Sequence, residues 1–102
     1  MVLALTASSE WMPYTCYILR CADGRYYVGA TVALRERMKL HQAGRVPSTR
    51  ARRPVTLVYY EVHPSAAAAF ARERSLKNGR TRKTTRERLI RLFPSAKLRE
   101  FP

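Results

Sequence analysis

The stretch that most restricts the fold is "YTCYILRCADGRYYVGA", residues 14–30. Residues 14–20 and 25–30 are rich in β-branched and aromatic types, which suit a pleated, half-buried surface. Between them, Asp23-Gly24 marks a turn, so the two runs read as a hairpin. Side chains alternate between faces along a strand, and the length of the turn decides which residues share a face. A two-residue loop at Asp23-Gly24 would pair Leu19 with Val28 and send Tyr17 and Tyr27 to opposite faces. A three-residue loop, Ala22-Asp23-Gly24, pairs Leu19 with Tyr27 and Tyr17 with Gly29, and puts both tyrosines on one face. In that register Gly24 takes the left-handed position of a G1 bulge, and Gly29 leaves space over the ring of Tyr17. We expect this second register.

Downstream, residues 32–43 read as a helix with Gly44 at its C′ position. Residues 45–54, "RVPSTRARRP", read as a basic loop, and residues 55–62, "VTLVYYEV", as a third strand. A second helix runs over 64–78, capped by Ser65 or opened by Pro64, with Gly79 at its end. A basic connector, "GRTRKT", leads to a short helix over 84–93 with a capping box of Thr84 and Glu87, stopped by Pro94. The order β-β-α-β-α-α predicts an α/β (α+β) layer protein, a three-stranded antiparallel sheet flanked by helices. One domain over 13–94 is expected, with tails at 1–12 and 95–102. The opening "MVLALTASSEWMPYT" lacks the basic start and long apolar run of a signal peptide, and Met12 is a candidate start.

Of the twenty basic residues sixteen are arginine, and only seven residues are acidic, for a net charge of +13. Such a surface attracts polyanions, nucleic acid above all, and arginine forks onto phosphate oxygens. No apolar run is long enough to cross a membrane. Cys16 and Cys21 are separated by an odd step on a strand, hence on opposite faces, and are expected as free thiols in a reducing, cytoplasmic compartment. Two cysteines are too few for a structural zinc site.

Two helices break the packing rule. On a wheel of about 100° per residue, Met38, His41 and Arg37 all fall within about 60° of Leu34. Arg35, Glu36, Lys39 and Gln42 occupy the other side. Arg37 and His41 therefore share the inward stripe. Ordinary accounts exist: Arg37 snorkels along the edge of the stripe and His41 is a hydrogen-bonded core histidine. In the second helix, Glu73 falls at the centre of an apolar arc of Ala66, Ala69, Phe70 and Leu76. An i,i+4 pair with Lys77 would account for Glu73 at a surface. On a packing stripe a carboxylate is costly unless it holds a metal or a fixed cation. Tyr17, Tyr27, Arg37, His41 and Glu73 are thus expected to converge on one side of the sheet, because polar groups on two separate apolar stripes mark a candidate site.

This constellation resembles the GIY-YIG nuclease superfamily, from about Tyr14 to Phe93, and most closely its small single-domain bacterial members. "YTCYILRCADGRYYVGAT" is similar to the two-part motif, "ALRERMKLHQAG" to the helix that follows, and "ARERSLK" to the glutamate helix. The resemblance implies a metal-dependent endonuclease that hydrolyses phosphodiester bonds of DNA, directed by structure rather than sequence. Tyr17 and Tyr27 stand for the motif tyrosines, Gly29 for the motif glycine, Arg37 for the catalytic arginine, His41 for the helix histidine or tyrosine, and Glu73 for the ligand of Mg²⁺ or Mn²⁺. Cys16 stands where the name motif has glycine, and a downstream asparagine has no clear counterpart, although Asn78 is nearby.

Gly29, Arg45, Arg50, Arg52, Arg53, Lys77, Arg80, Arg82 and Lys83 are assigned to the substrate, in a chain expected to act on DNA as a monomer. One alternative is a non-catalytic nucleic-acid-binding module on the same fold. The other is a basic subunit of a ribonucleoprotein contacting RNA through "GRTRKTTRERLIR".

Overall fold

A computed structural model describes residues 14–79 and 82–99. The elements are β1 (Tyr14–Arg20), β2 (Tyr26–Thr31), α1 (Leu34–Gln42), α2 (Pro47–Arg50), β3 (Thr56–His63), α3 (Ala66–Lys77), α4 (Arg82–Leu92) and α5 (Ser95–Leu98). The sheet has the order β2-β1-β3, antiparallel throughout. β1 is its buried centre, with residues 15 to 19 all buried, while β2 and β3 are the edges.

The hairpin takes the longer loop. Tyr17 pairs with Gly29 and Leu19 with Tyr27. The Gly24 N–H donates to the Cys21 carbonyl at 2.9 Å, and the Cys21 N–H to the Arg25 carbonyl at 2.8 Å. Gly24 has φ of 83°, a left-handed conformation that glycine adopts without steric cost. The β1–β3 pairing shifts register between Ile18 and Leu19, which supplies local twist.

Alternation along β1 makes two cores. Tyr17, Leu19 and Cys21 pack with Leu34 and Val55 on the face covered by α1. Cys16, Ile18, Val28 and Tyr59 pack with Leu76 on the other, where Leu89, Ile90 and Phe93 close the layer. The two cysteines are free, buried and in different cores, as their odd spacing requires.

Several boundaries differ from the sequence reading. α1 starts at Leu34 rather than residue 32, after Thr31 Oγ1 accepts the Ala33 N–H at 3.1 Å. The basic loop 45–54 contains a short helix, α2, with Pro47 in its first turn, where the missing N–H costs nothing. Ser65 caps α3, accepting the Ala68 N–H at 3.1 Å. The capping box at Thr84 and Glu87 is not formed: α4 already begins at Arg82, which places Thr84 inside the helix. Residues 95–98, expected as tail, form α5 after Pro94. The expected 1–12 tail, Met12 and Arg80 lie outside the described residues. Among the described residues no helix is long and apolar enough to cross a membrane.

Candidate active site

The first turns of α1 lean on β1 and β2, and the helix buries Leu34 and His41 while leaving Met38 and Arg37 half-buried. The inward stripe is therefore the one the wheel gives. His41 is 0% exposed and sits between two hydroxyls: Tyr17 Oη lies 2.8 Å from Nε2 and Thr49 Oγ1 lies 2.8 Å from Nδ1. Both rings of the tyrosine pair meet the imidazole edge-on, with centroids 5.8 Å away for Tyr17 and 5.1 Å for Tyr27. Burial, with the Arg37 charge beside it, holds the His41 pKa down at about 4. The imidazole is consequently neutral near pH 7, with one nitrogen donating and the other accepting.

Tyr17 is 0% exposed, and burial pushes its phenol well above the ordinary tyrosine value. Its ring fills the space over Gly29, where a Cβ would come within 2.6 Å of the ring. Arg37 lies beside the Tyr17 and Tyr27 hydroxyls, whose proximity pushes its pKa up despite desolvation. A guanidinium has donors only, so toward a phenol it can act only as a donor. Its planar set of N–H donors suits an anion. Tyr27 is the half-exposed member of the pair, its ring 6.2 Å from that of Tyr17.

Glu73 approaches from elsewhere. Its helix, α3, packs on the Cys16–Ile18 face, not on the tyrosine face. α3 also runs against the edge strand β2, which carries Tyr27. Lys77 makes the link: its Nζ lies 2.8 Å from Glu73 Oε2 and 5.8 Å from the centroid of the Tyr27 ring. The apolar arc of α3 is also narrower than the wheel implies. Ala69 and Leu76 are buried, but Phe70 is 47% exposed. Glu73 remains on the packing stripe, one turn from each of Ala69 and Leu76, with its side chain only 20% exposed.

Among the described residues, no three of His, Cys, Asp and Glu cluster as a metal would need for an all-protein cage. One carboxylate fits Mg²⁺ nonetheless, because that ion keeps several waters and takes substrate oxygens. Cys16 lies near Glu73, but burial pushes its thiol up to about 12, with the nearby Glu61 and Glu73 charges adding to it, so it stays protonated.

The basic residues assigned to substrate divide. Arg45 and Arg50 are exposed beside α2, and Arg82 and Lys83 are exposed at the start of α4. Arg52 is tied to Asp23 at 3.0 Å, fastening α2 to the hairpin turn. Arg53 donates to the Arg50 and Gln42 carbonyls at 3.0 and 3.1 Å and packs under Gly44, so it braces the ends of α1 and α2. Sequence reading missed Thr49, a hydroxyl inside what looked like a plain basic loop. It also missed the Glu61 cluster, where the carboxylate meets Tyr59, His63 at 2.6 Å and Arg72 at 2.8 Å. Alternation of Tyr59, Glu61 and His63 along β3 was the available signal.

The fold and the site define a small α+β module whose polar centre is built on one edge of a three-stranded sheet. The GIY-YIG catalytic domain matches residues 13–88, and the chain belongs to that family, whose domains are typically nuclease domains. It is similar to a UPF0213 protein of Streptococcus sanguinis, 52% identical over 58 residues, or 56% of this chain and 67% of that one. A UPF0213 protein of Streptococcus pyogenes is 45% identical over 67 residues, 65% of this chain and 73% of the relative. The solution NMR structure of a UPF0213 protein from Bacillus halodurans is 35% identical and covers 72% of this chain and 79% of its own, with a TM-score of 0.46.

Proposed function

We propose that the protein is a divalent-metal-dependent endonuclease that hydrolyses phosphodiester bonds of DNA and selects its target by structure rather than sequence. The observation that supports this reading is Arg37 beside Tyr17 and Tyr27, the two tyrosines packed on the buried His41, with the half-buried Glu73 linked to the Tyr27 ring through Lys77. Arg37 binds a phosphoryl oxygen and stabilises the charge that develops on it. Tyr27 is the half-exposed phenol, and it orients the attacking water. Tyr17 is fully buried and positions Arg37, while neutral His41 accepts a hydrogen bond or returns one to the Tyr17 hydroxyl. Glu73 would hold Mg²⁺ or Mn²⁺, which supplies Lewis-acid polarisation of the phosphate when bound.

The experiment is a nicking assay on branched and duplex DNA, with RNA alongside, in the presence of Mg²⁺ or Mn²⁺ and again with a chelator. Metal-dependent cleavage of DNA is expected. The second reading, a non-catalytic nucleic-acid-binding module, is favoured by one feature: Lys77 already neutralises Glu73. It predicts salt-sensitive binding with no cleavage by the folded protein.

A further inference from the structure

A groove of about 720 Å³ lies between the β1–β2 turn and the start of α4, apart from the tyrosine cluster. Its walls bring Arg25 and Arg52 from one side together with Lys83, Arg86 and Glu87 from the other, and Asp23 sits at the turn. Asp23 is engaged by Arg52 and by the Arg25 backbone N–H at 2.9 Å. Arg52 is taken up by Asp23, which leaves Arg25, Lys83 and Arg86 facing the one remaining carboxylate, Glu87. Arg25 and Lys83 are exposed. Arg86 is held in place by donating to the Leu76 carbonyl at 3.0 Å, yet its Nε is buried without a hydrogen-bond partner. The Leu76 bond fixes the guanidinium in the groove wall. Such a wall suits a phosphate better than a small apolar ligand, whose pockets are mostly hydrophobic.

The groove is joined to the candidate site. Tyr26 lines the groove and Tyr27, the next residue of β2, belongs to the site on the opposite face. Leu76, which anchors Arg86, precedes Lys77, which covers the Tyr27 ring. Arg86, Leu76, Lys77 and Tyr27 thus form an unbroken path around the β2 edge.

We propose, building on the nuclease reading, that this groove binds phosphodiester groups of the nucleic-acid strand flanking the one held by Arg37. The groove is thereby a second anchoring point that sets the direction in which the strand leaves the site.

The test is binding of fluorescently labelled branched and duplex DNA by anisotropy, without divalent metal so that no cleavage intervenes, across a range of salt. Arg25→Ser combined with Lys83→Ser removes two exposed charges and touches no packing. Affinity at low salt should fall at least about tenfold, and the log–log salt slope should shrink by about 1.8, the share of two phosphate contacts. Glu87→Gln should strengthen binding. The control, Arg91→Ser with Lys97→Ser, removes the same charge from exposed positions that do not line the groove, and should shift affinity less than about threefold by general electrostatics alone. Equal losses in the two double variants, or none in either, with wild-type protein still binding DNA, would overturn the groove and leave the nuclease reading standing. Wild-type protein with no measurable affinity for DNA would remove both.

Discussion

The ring of Tyr17 occupies the place a side chain would need at residue 29: a Cβ on Gly29 would lie 2.6 Å from both its Cζ and its hydroxyl. The ring has nowhere else to go, since it is fully buried and bonded to His41 at 2.8 Å. Gly29→Ala should therefore destabilise the fold by about 1–3 kcal/mol, the usual cost of overpacking. It should also displace Arg37, which lies beside that hydroxyl. Urea denaturation reads the first effect. A midpoint equal to wild type would mean that the ring moves aside freely.

Thr49 holds the far nitrogen of His41. Thr49→Val keeps the shape and leaves Nδ1 facing a methyl in a site without exposure. A buried polar group without a partner costs about 1–3 kcal/mol. Thr49→Ser restores the hydroxyl and should recover most of the loss. The histidine nitrogen NMR signals should move in the valine variant and return in the serine variant. If both variants lose stability equally, the methyl packing of Thr49 matters and its hydrogen bond does not.

What the sequence made legible was whatever depends on period and turn chemistry. The alternation of strand residues with the Ala22-Asp23-Gly24 loop placed Tyr17, Tyr27 and Gly29 in the observed register. The helical wheel put Arg37 and His41 inward. Glu73 was found on its stripe, but a wheel gives the face of a helix and not the layer on which the helix packs. Thr49 escaped because its importance comes from a contact across eight residues, between two elements, with no periodic signal. Arg52 and Arg53 looked like free phosphate ligands, yet one pairs with an acid 29 residues earlier and the other with helix-end carbonyls. Charge counts cannot distinguish a bracing arginine from an available one.

His41 gives stability a pH dependence of known sign. Its pKa is depressed in the fold, from 6.5 to about 4, so the unfolded chain takes up the proton first as pH falls. Its contribution is fully present above pH 6.5 and is lost as pH falls toward 4. The loss is up to about 3 kcal/mol from the size of the shift. Other groups titrate in the same range, so the comparison is between wild type and His41→Asn. The slope of stability against pH between 4 and 6.5 should be visibly flatter in the variant. Parallel slopes would mean that His41 is not the group that takes up the proton.

Glu73 decides between the catalytic and the binding reading. Its carboxylate is half-buried on the packing stripe of α3 and paired with Lys77 at 2.8 Å, in a chain with seven acids. Glu73→Gln keeps shape and removes charge. The Lys77 side chain is 45% exposed, and an i,i+4 pair of that kind contributes only a few tenths of a kcal/mol, so the fold should survive nearly unchanged. Affinity for DNA should hold or rise, because one negative charge beside the phosphates is gone. Metal-dependent cleavage should fall by orders of magnitude, since a neutral amide holds Mg²⁺ poorly. A Glu73→Gln protein that is folded, binds DNA and still cuts it at close to the wild-type rate would show that the carboxylate serves only Lys77, and the catalytic centre would then have to be sought elsewhere in the chain.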